Sequence, residues 1–335
     1  MMLQASEVLQ CLSCQQFLSG QRLADRFNVT RATINNHISK LQALGIAIES
    51  VSGCGYRLCH PISLHDKNYL LEALRQNAPA PLDQIQCWQQ IESTNTAARA
   101  LATPESGAFS IVLAELQTAG RGRRGRTWLA PYAANITLSV VWNLQRPLHA
   151  AGLLSPYIAV QIAQVLDLMG LPAIKVKWPN DIYCNAKKIA GILIECSGEM
   201  NSDCHLVVGL GINAYMSQSS LDFSQHAIEQ PWTDIISELP DFQSSRDDIA
   251  IACINAIVAG LISYEQGVSK TFDKLWSQWD LLHDKPVRVE SETNTITGIA
   301  RGINPQGCLR LYTPTGEEQI MLGEVSLRAD HDNTD

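Results

Sequence analysis

Residues 120–126 read Gly-Arg-Gly-Arg-Arg-Gly-Arg, the stretch of the chain most loaded with chemistry. Glycine lets backbone N–H groups close on an anion. Arginine adds forked donors with a permanent charge. Interleaving the two makes a loop that can wrap a polyanion and move when empty; the plainer alternative is a solvated basic turn or a nucleic-acid patch. The letters also satisfy G-x-G-x-x-G, the dinucleotide pattern. That fold needs a helix straight after the glycines and an acid about 20 residues later. Pro131 and the apolar run Ile136 to Trp142 follow instead, and Gln145 stands near where the acid should be. The order is therefore strand (Ser110 to Glu115), glycine–arginine loop, strand.

Other polar groups punctuate apolar stretches around this loop. Glu92-Ser93-Thr94-Asn95 opens a short helix, Thr96 to Leu101, after a strand, Gln84 to Trp88. Its hydroxyls and amide suit a neutral polar ligand head such as a ureido group, or they cap the helix, the simpler reading of these residues alone. Gln117 stands just before the loop. Asn180 and Asp181 follow a strand ending at Trp178, and Lys188 sits on a hairpin formed by Ile182–Cys184 and Ile189–Glu195. If the hairpin folds back, an amide, a carboxylate and an ammonium meet the cationic loop. Such groups can neutralise a phosphorus-centred transition state, where catalysis is mainly positioning and electrostatics. Each of these residues singly is also an ordinary surface residue. Gly209-Leu-Gly-Ile-Asn213 ends another strand in glycines that permit close ligand approach. The polar stretch Ser217 to Glu229 is a candidate loop that orders on ligand binding.

The elements that must position these groups are legible in outline. With 335 residues the chain is long enough for two or three domains. Its 46% hydrophobic and 17% charged content is that of a globular protein. No apolar run reads as a membrane span and the start does not read as a signal peptide, so a cytoplasmic protein without a membrane partner is expected. A net charge of −8 confines any nucleic-acid contact to a local patch. The 10 cysteines lack paired zinc spacing, and Cys11 and Cys14 read as small helix residues.

Near the N-terminus, Ser19 caps a helix from Gly20 to Phe27, Asn28-Val29 makes a turn, and Thr30 caps a second helix, Arg31 to Leu44, ending at Gly45. Ile34, Ile38 and Leu41 share its inward face. Arg31, Thr33, Asn35, Asn36 and Lys40 are left outward or flanking. This is a helix-turn-helix over Gly20–Ser39, and the following hairpin is a wing with Arg57 placed to meet a phosphate. Asparagine pairs with adenine edges, arginine with guanine, lysine with phosphate. A small packing module that never meets DNA is the alternative. From His60 a connecting segment with one helix, Asp66 to Gln76, leads to a boundary at Pro79-Ala80-Pro81. Further on, helices are expected over Ala150 to Leu168, Asp247 to Gly267 and Val268 to Trp279. From Lys285, short strands with turns at Glu292-Thr293-Asn294, 304–307 and 313–316 read as a small β-barrel ending near Arg328.

Taken in order, Gly-Arg-Gly-Arg-Arg-Gly at 120–125, Lys-Trp-Pro-Asn-Asp at 177–181, Lys188-Ile-Ala-Gly-Ile-Leu193 and Gly-Leu-Gly-Ile-Asn at 209–213 resemble the signature segments of biotin–protein ligases. With the winged helix in front, the chain is similar to the bifunctional bacterial type that also represses the biotin operon. The resemblance runs from about Gly20 to Arg328. It implies an α+β chain: a winged helix-turn-helix (1–63), a ligase domain (64–283) whose mixed sheet and helices resemble class II aminoacyl-tRNA synthetases, and an SH3-like barrel (284–330). It implies that ATP and biotin, with Mg²⁺, give biotinyl-5′-AMP, and that a lysine of the biotin carboxyl carrier protein of acetyl-CoA carboxylase takes the biotinyl group. By position, Ser93, Thr94, Asn95 and Gln117 would hold the biotin head, and Arg121, Gly122 and Arg123 its carboxylate and the phosphate. Lys188 would contact the activated acyl-phosphate, making Lys188, Arg121 and Arg123 the catalytic set. Arg121, Arg124, Trp128, Asn180, Asp181 and Asn213 would border the ATP or adenylate, with Asp181 the candidate metal ligand. The adenylate-bound form would be a homodimer on biotin operator DNA. A ligand-sensing repressor without ligase activity and a lipoate or octanoate ligase are the alternatives. The intact set Arg121, Arg123 and Lys188 opposes the first; the winged helix and arginine loop oppose the second.

Overall fold

The computed structural model describes residues 3–145, 152–197, 204–220, 228, 230–267, 272–290, 295–321 and 326–329. The N-terminal unit packs α1 (Ala5–Leu9), α2 (Gly20–Phe27) and α3 (Arg31–Ala43) around Val8, Leu23, Ile34, Ile38 and Leu41. Both expected caps form: Ser19 Oγ accepts from Arg22 N at 3.1 Å and Thr30 Oγ1 from Thr33 N at 3.1 Å. Asn28 in a left-handed turn ends α2, and Gly45 at φ 89° follows α3. The wing is β1 (Ile48–Val51) paired antiparallel with β2 (Gly55–Leu58). Cys11 and Cys14 lie past the end of α1, not within a helix, because α1 stops after Leu9.

The central unit is a seven-stranded sheet in the order β3-β4-β5-β9-β8-β7-β6. Its strands are β3 (Leu82–Trp88), β4 (Phe109–Ala114), β5 (Asn135–Leu144), β6 (Lys175–Lys177), β7 (Asp181–Cys184), β8 (Lys187–Ser197) and β9 (Cys204–Asn213). Only β3 and β4 run parallel; the other neighbours are antiparallel. Asn185 and Ala186, at φ 47° and 60°, make the two-residue turn between β7 and β8.

Strand alternation gives the sheet two unlike faces. Ile111, Leu138, Val140, Val208 and Ile212 point to one face, where α4 (Lys67–Asn77), α6 (Leu154–Leu168) and α8 (Arg246–Gln266) bury them. α9 (Phe272–Trp279) closes that core with Phe272 and Trp276. The other face is covered in part by α5 (Thr94–Arg99), whose Ala98 packs on Val112, Val141 and Val207. A four-residue helix, α7 (Ile235–Glu238), follows the site.

Three sequence expectations change here. Pro79-Ala80-Pro81 is no domain boundary: Leu70 and Leu74 of α4 belong to the central core, and Pro81 O accepts from Phe109 N at 3.0 Å. The run in α8 is long and apolar enough to cross a membrane, with a mean hydropathy of 1.5, against the expectation that no run is. Ile249, Ile254, Ile257 and Leu261 are nevertheless fully buried in this core, so its hydrophobicity serves packing. The first helix of the expected trio, expected from Ala150, starts at Leu154, with residues 146–151 outside the described ones.

The C-terminal unit is a five-stranded antiparallel sheet, β13-β12-β11-β10-β14, from β10 (Pro286–Glu290), β11 (Thr295–Ile303), β12 (Leu309–Thr313), β13 (Gly316–Ile320) and β14 (Ser326–Ala329). The expected turn at 292–294 lies outside the described residues. This sheet's Val287, Val289 and Leu309 continue the central core, and Trp178 Nε1 donates to Gly307 O at 2.9 Å.

A buried charge cluster fixes the segment between the N-terminal and central units. Arg246 and Glu115, each with side chains 2% exposed, pair at 2.6 Å. Arg246 also donates to His65 Nε2 at 2.7 Å and Ser63 O at 3.2 Å. The opposite ring nitrogen, His65 Nδ1, meets Asp247 at 2.5 Å, and Asp66 N donates to the same carboxylate at 2.9 Å. Removing one partner of such a pair strands a buried charge. Arg246→Ala is expected to lower unfolding stability by about 3–5 kcal/mol, read from urea denaturation; an unchanged midpoint would show that the cluster is dispensable.

Candidate active site

The face carrying α5 is unusually bare at its centre. Across β8, β9, β5 and β4 one row reads Gly191, Gly211, Thr137, Ala114, and the next Leu193, Gly209, Ser139, Val112. Small residues at a sheet centre leave a trough, and two side chains already lie in it. A Cβ on Gly209 would sit 2.1 Å from Asn95 Oδ1, and one on Gly211 2.4 Å from the Trp128 ring. Glycine at these two positions is a steric requirement, in line with the close approach expected from sequence.

One end of the trough is made by the start of α5. Ser93, Thr94 and Asn95 are buried. Ser93 holds the N-cap position, but its side chain makes no capping bond, so the cap reading fails. Gln117 satisfies the turn instead: its Oε1 accepts from Thr94 N at 2.7 Å and Thr94 Oγ1 at 3.1 Å. Ser139 Oγ donates to Asn95 Oδ1 at 2.6 Å and lies 2.8 Å from Thr94 Oγ1. Asn95 Nδ2 donates to Leu193 O at 3.2 Å and Glu195 Oε2 at 2.8 Å. Ser93, Thr94, Asn95, Gln117 and Ser139 thus form an uncharged polar patch bordered by the Glu195 carboxylate.

The glycine–arginine loop is pinched at its base. Trp128 N donates to Gly120 O at 2.9 Å, and Gly122 N to Arg126 O at 2.7 Å. Inside, Arg123–Gly125 forms one tight turn, with Arg124 at φ 56°. Arg121 reaches Glu195, Nη2 to Oε2 at 3.1 Å, and Arg123 reaches Asn180 Oδ1 at 3.3 Å. Burial pulls the Arg123 guanidinium below its ordinary pKa; Arg124 and Arg126 add to this, and Asp181 opposes it. Arg124 is exposed.

At the other end, β7 and β8 bring their polar groups together as the hairpin reading requires. Lys188 Nζ pairs with Asp181 Oδ2 at 2.8 Å and stands 5.7 Å from the Trp128 ring centroid. Asn180 Nδ2 donates to Ile192 O at 2.6 Å. Asn213 is tied into the frame, donating to Thr233 O at 3.0 Å and accepting from Asn135 at 3.2 Å. Most of the expected ordering loop, 221–227 and Glu229, lies outside the described residues.

Sequence reasoning missed Ser139 and Glu195. Ser139 had a signal: Thr137 and Ser139 alternate within an otherwise apolar strand. Glu195 had none, since its partners lie 74 and 100 residues away in sequence. On the N-terminal unit, Arg31, Asn35, Asn36 and Lys40 are exposed and Thr33 half-buried. Tyr56 Oη on the wing donates to Asn35 Oδ1 at 3.3 Å. Arg57, expected to face a phosphate, is held by Glu49 at 2.5 Å and lies 4.5 Å over Phe17, because β1 and β2 place Glu49 opposite it.

A helix-turn-helix joined to a mixed sheet with a cation-rimmed trough defines a class, and comparisons place the chain within it. Residues 87–213 match the biotin/lipoate A/B protein ligase family, residues 5–57 an HTH domain, and residues 282–328 the biotin protein ligase C terminal domain. The chain is 35% identical over 323 residues to the bifunctional ligase/repressor BirA of Salmonella typhimurium, covering 96% of this chain and 97% of that protein. It is 32% identical over 241 residues to the biotin–[acetyl-CoA-carboxylase] ligase of Paracoccus denitrificans, covering 70% of this chain and 96% of the relative. The fold matches the biotin protein ligase of Aquifex aeolicus, a structure in complex with biotin and ATP, with a TM-score of 0.61 at 24% identity, over 74% of this chain and 99% of that one. The chain belongs to the biotin–protein ligases of the bifunctional ligase/repressor type, and it is a ligase.

Since Gly209 is required by Asn95, the two should be coupled. Gly209→Ala is expected to lower the biotin-ligating rate on the order of tenfold, and adding Asn95→Ala should cost little more. Fully additive losses in steady-state rates would refute the contact.

Proposed function

We propose that the chain activates biotin with ATP to biotinyl-5′-AMP and transfers biotin to a lysine of the biotin carboxyl carrier protein of acetyl-CoA carboxylase. In the same reading, the adenylate-bound homodimer, a cytoplasmic protein, represses the biotin operon by binding its operator. The observation that carries this is the trough itself: an uncharged polar end beside a rim of cations, matching a neutral ureido head and an anionic tail. The unit boundaries 1–63, 64–283 and 284–330, the class II synthetase-like central architecture and the SH3-like closure of the C-terminal sheet belong to this reading too.

Ser93, Thr94, Asn95 and Gln117 take the ureido group, which donates two N–H and accepts at one oxygen. Arg121, Gly122 and Arg123 receive the carboxylate and the α-phosphate. A carboxylate oxygen attacks the α-phosphorus, and pyrophosphate leaves. Two anions must meet for this, and Arg123 and Lys188 offset their repulsion and the charge of the transition state. Trp128, Asn180 and Asn213 border the adenine, with Arg124 also at the adenylate and Asp181 near the metal or phosphates. The carrier's lysine amine then attacks the acyl carbon, an amide forms, and AMP leaves. The loop keeps water from the mixed anhydride meanwhile.

For Mg²⁺ the fit is partial. Asp181 offers one carboxylate, and no group of three or more His, Cys, Asp or Glu side chains that could hold a metal occurs among the described residues. The ion would therefore take its remaining ligands from the triphosphate and water, supplying charge neutralisation there.

Biotin-dependent ATP–pyrophosphate exchange tests the reading, with lipoate as control; exchange with lipoate but not biotin would overturn it. Arg123→Gly should leak free adenylate and biotinylate bystander proteins, and full adenylate retention would remove Arg123 from the closure. Asn35→Ala should weaken operator binding by about 1–3 kcal/mol with ligase activity intact, measured by operator titration; equal binding would take Asn35 out of the base readout.

A further inference from the structure

Glu195 lies on β8 four residues beyond Gly191, so it shares the trough face. Its carboxylate gathers three donors from two elements. Asn95 Nδ2 lies at 2.8 Å from Oε2. Arg121 Nη2 lies at 3.1 and 3.3 Å from the two oxygens, and Arg99 Nη1 at 3.6 Å from Oε1. The Glu195 side chain is 23% exposed, against 41% for Arg121. It therefore stands between the uncharged end of the trough and the cationic loop.

We infer that Glu195 is the positioning residue for the anionic end of the substrate. It holds Arg121 over the trough before ligand arrives. This inference rests on the reading of Arg121 as the contact for the biotin carboxylate. A guanidinium carries five N–H donors in a rigid fork. Glu195 takes only the Nη2 nitrogen, and among the described residues the Nε and Nη1 side of Arg121 carries no hydrogen bond. That edge is free for a second anion, so a ligand carboxylate binds the same guanidinium without displacing Glu195. Arg121 becomes the bridge between two carboxylates, one resident and one incoming. An arginine on an exposed loop would otherwise lose its rotamer freedom on binding. The contact with Glu195 carries part of that ordering.

The charge can be removed without removing the acceptor for Asn95. In Glu195→Gln the amide oxygen still accepts from Asn95 Nδ2, while the amide nitrogen no longer attracts Arg121. Asn95 also keeps its bonds to Ser139 Oγ and Leu193 O. The discriminating ligands are biotin, which carries the carboxylate, and biotinamide, which does not.

Equilibrium titration of both ligands should show roughly tenfold weaker biotin binding by Glu195→Gln, with biotinamide unchanged. Glu195→Asp, which keeps the charge, should recover part of the loss. Tighter biotin binding would mean that Glu195 competes with the ligand, and would overturn the inference. Equal losses for both ligands, or no change in either, would overturn it as well. Should Glu195→Gln not fold, the ratio of the two affinities in Glu195→Asp decides alone: a ratio equal to wild type, with both affinities unchanged, refutes positioning. Arg121→Gln keeps the two readings separable. If it weakens biotin and biotinamide alike, Arg121 does not meet the carboxylate and the underlying reading fails. If it weakens biotin alone while Glu195→Gln does nothing, only the role of Glu195 fails.

Discussion

Asn95 and Trp128 lie against the backbone of β9, and they can do so only because residues 209 and 211 have no Cβ. Much of the site follows from that contact. Asn95 seated on Gly209 brings the start of α5 down onto the sheet, within reach of Ser139 and Leu193. Trp128 seated on Gly211 brings the end of the arginine loop down at the other side, next to Gly191 and Lys188. A loop anchored at its far end on the sheet and closed by Gly120 O has only its middle, residues 121–126, left to meet a ligand. Glycine in a strand costs about 0.5–1 kcal/mol each in backbone entropy. The opposite face of the same strand offsets this: Leu206, Val208, Leu210 and Ile212 are buried against the helices, and a fully buried side chain of that size contributes roughly 1.5–3 kcal/mol.

The electrostatics of the site are built on pairs. Lys188 faces Asp181, Arg121 faces Glu195, and Arg123 faces the Asn180 amide oxygen. A chain with a net charge of −8 can present a cationic rim only locally, and these contacts keep the cations ordered where they are needed. The pairs differ in strength for a physical reason. Lys188 and Asp181 are 14% and 20% exposed, so solvent screens them less than Arg121, at 41%. Among the described residues no carboxylate pairs directly with Arg123, so part of its desolvation stays unrelieved, which is the condition that an incoming phosphate would relieve.

Local signals in the sequence carried far; long-range ones did not. Caps at Ser19 and Thr30, the positive-φ turn at Asn185-Ala186 and strand alternation are decided within a few residues, and these elements stand where the pattern puts them. The glycines of β9 were legible because glycine has few other reasons to interrupt a buried strand. The pairing of Arg57 with Glu49 was not legible because its neighbour across the hairpin is fixed by register and not by sequence proximity. Pro79-Ala80-Pro81 was misread because composition reports a turn without reporting what packs on either side of it. Glu195 was invisible for the same reason as Arg246: a charge on an apolar element declares itself only when its partner, far along the chain, is in place.

The segments that leave the site also reach the N-terminal unit. At the end of β4, Glu115 stands two residues before Gln117, and its carboxylate accepts from His65 N and Arg246. After β9, Tyr215 N is held by Ala134 O, and the chain then runs to Ser219 and Ser220, which donate to Gly45 O at 3.1 and 2.9 Å. Gly45 is where α3, the exposed helix of the helix-turn-helix, comes to an end. Between these two contacts lies a cavity of about 450 Å³ lined by Ile46, His60, Tyr132, Tyr215 and Arg246. The seam between the two units is thus held at Gly45 and at Arg246 and open between them. Coupling between two sites requires that a ligand interact differently with two arrangements of such a seam. Ser219 and Ser220 make the path between the two units short: only five residues separate Asn213, at the trough, from Ser219, against the end of α3.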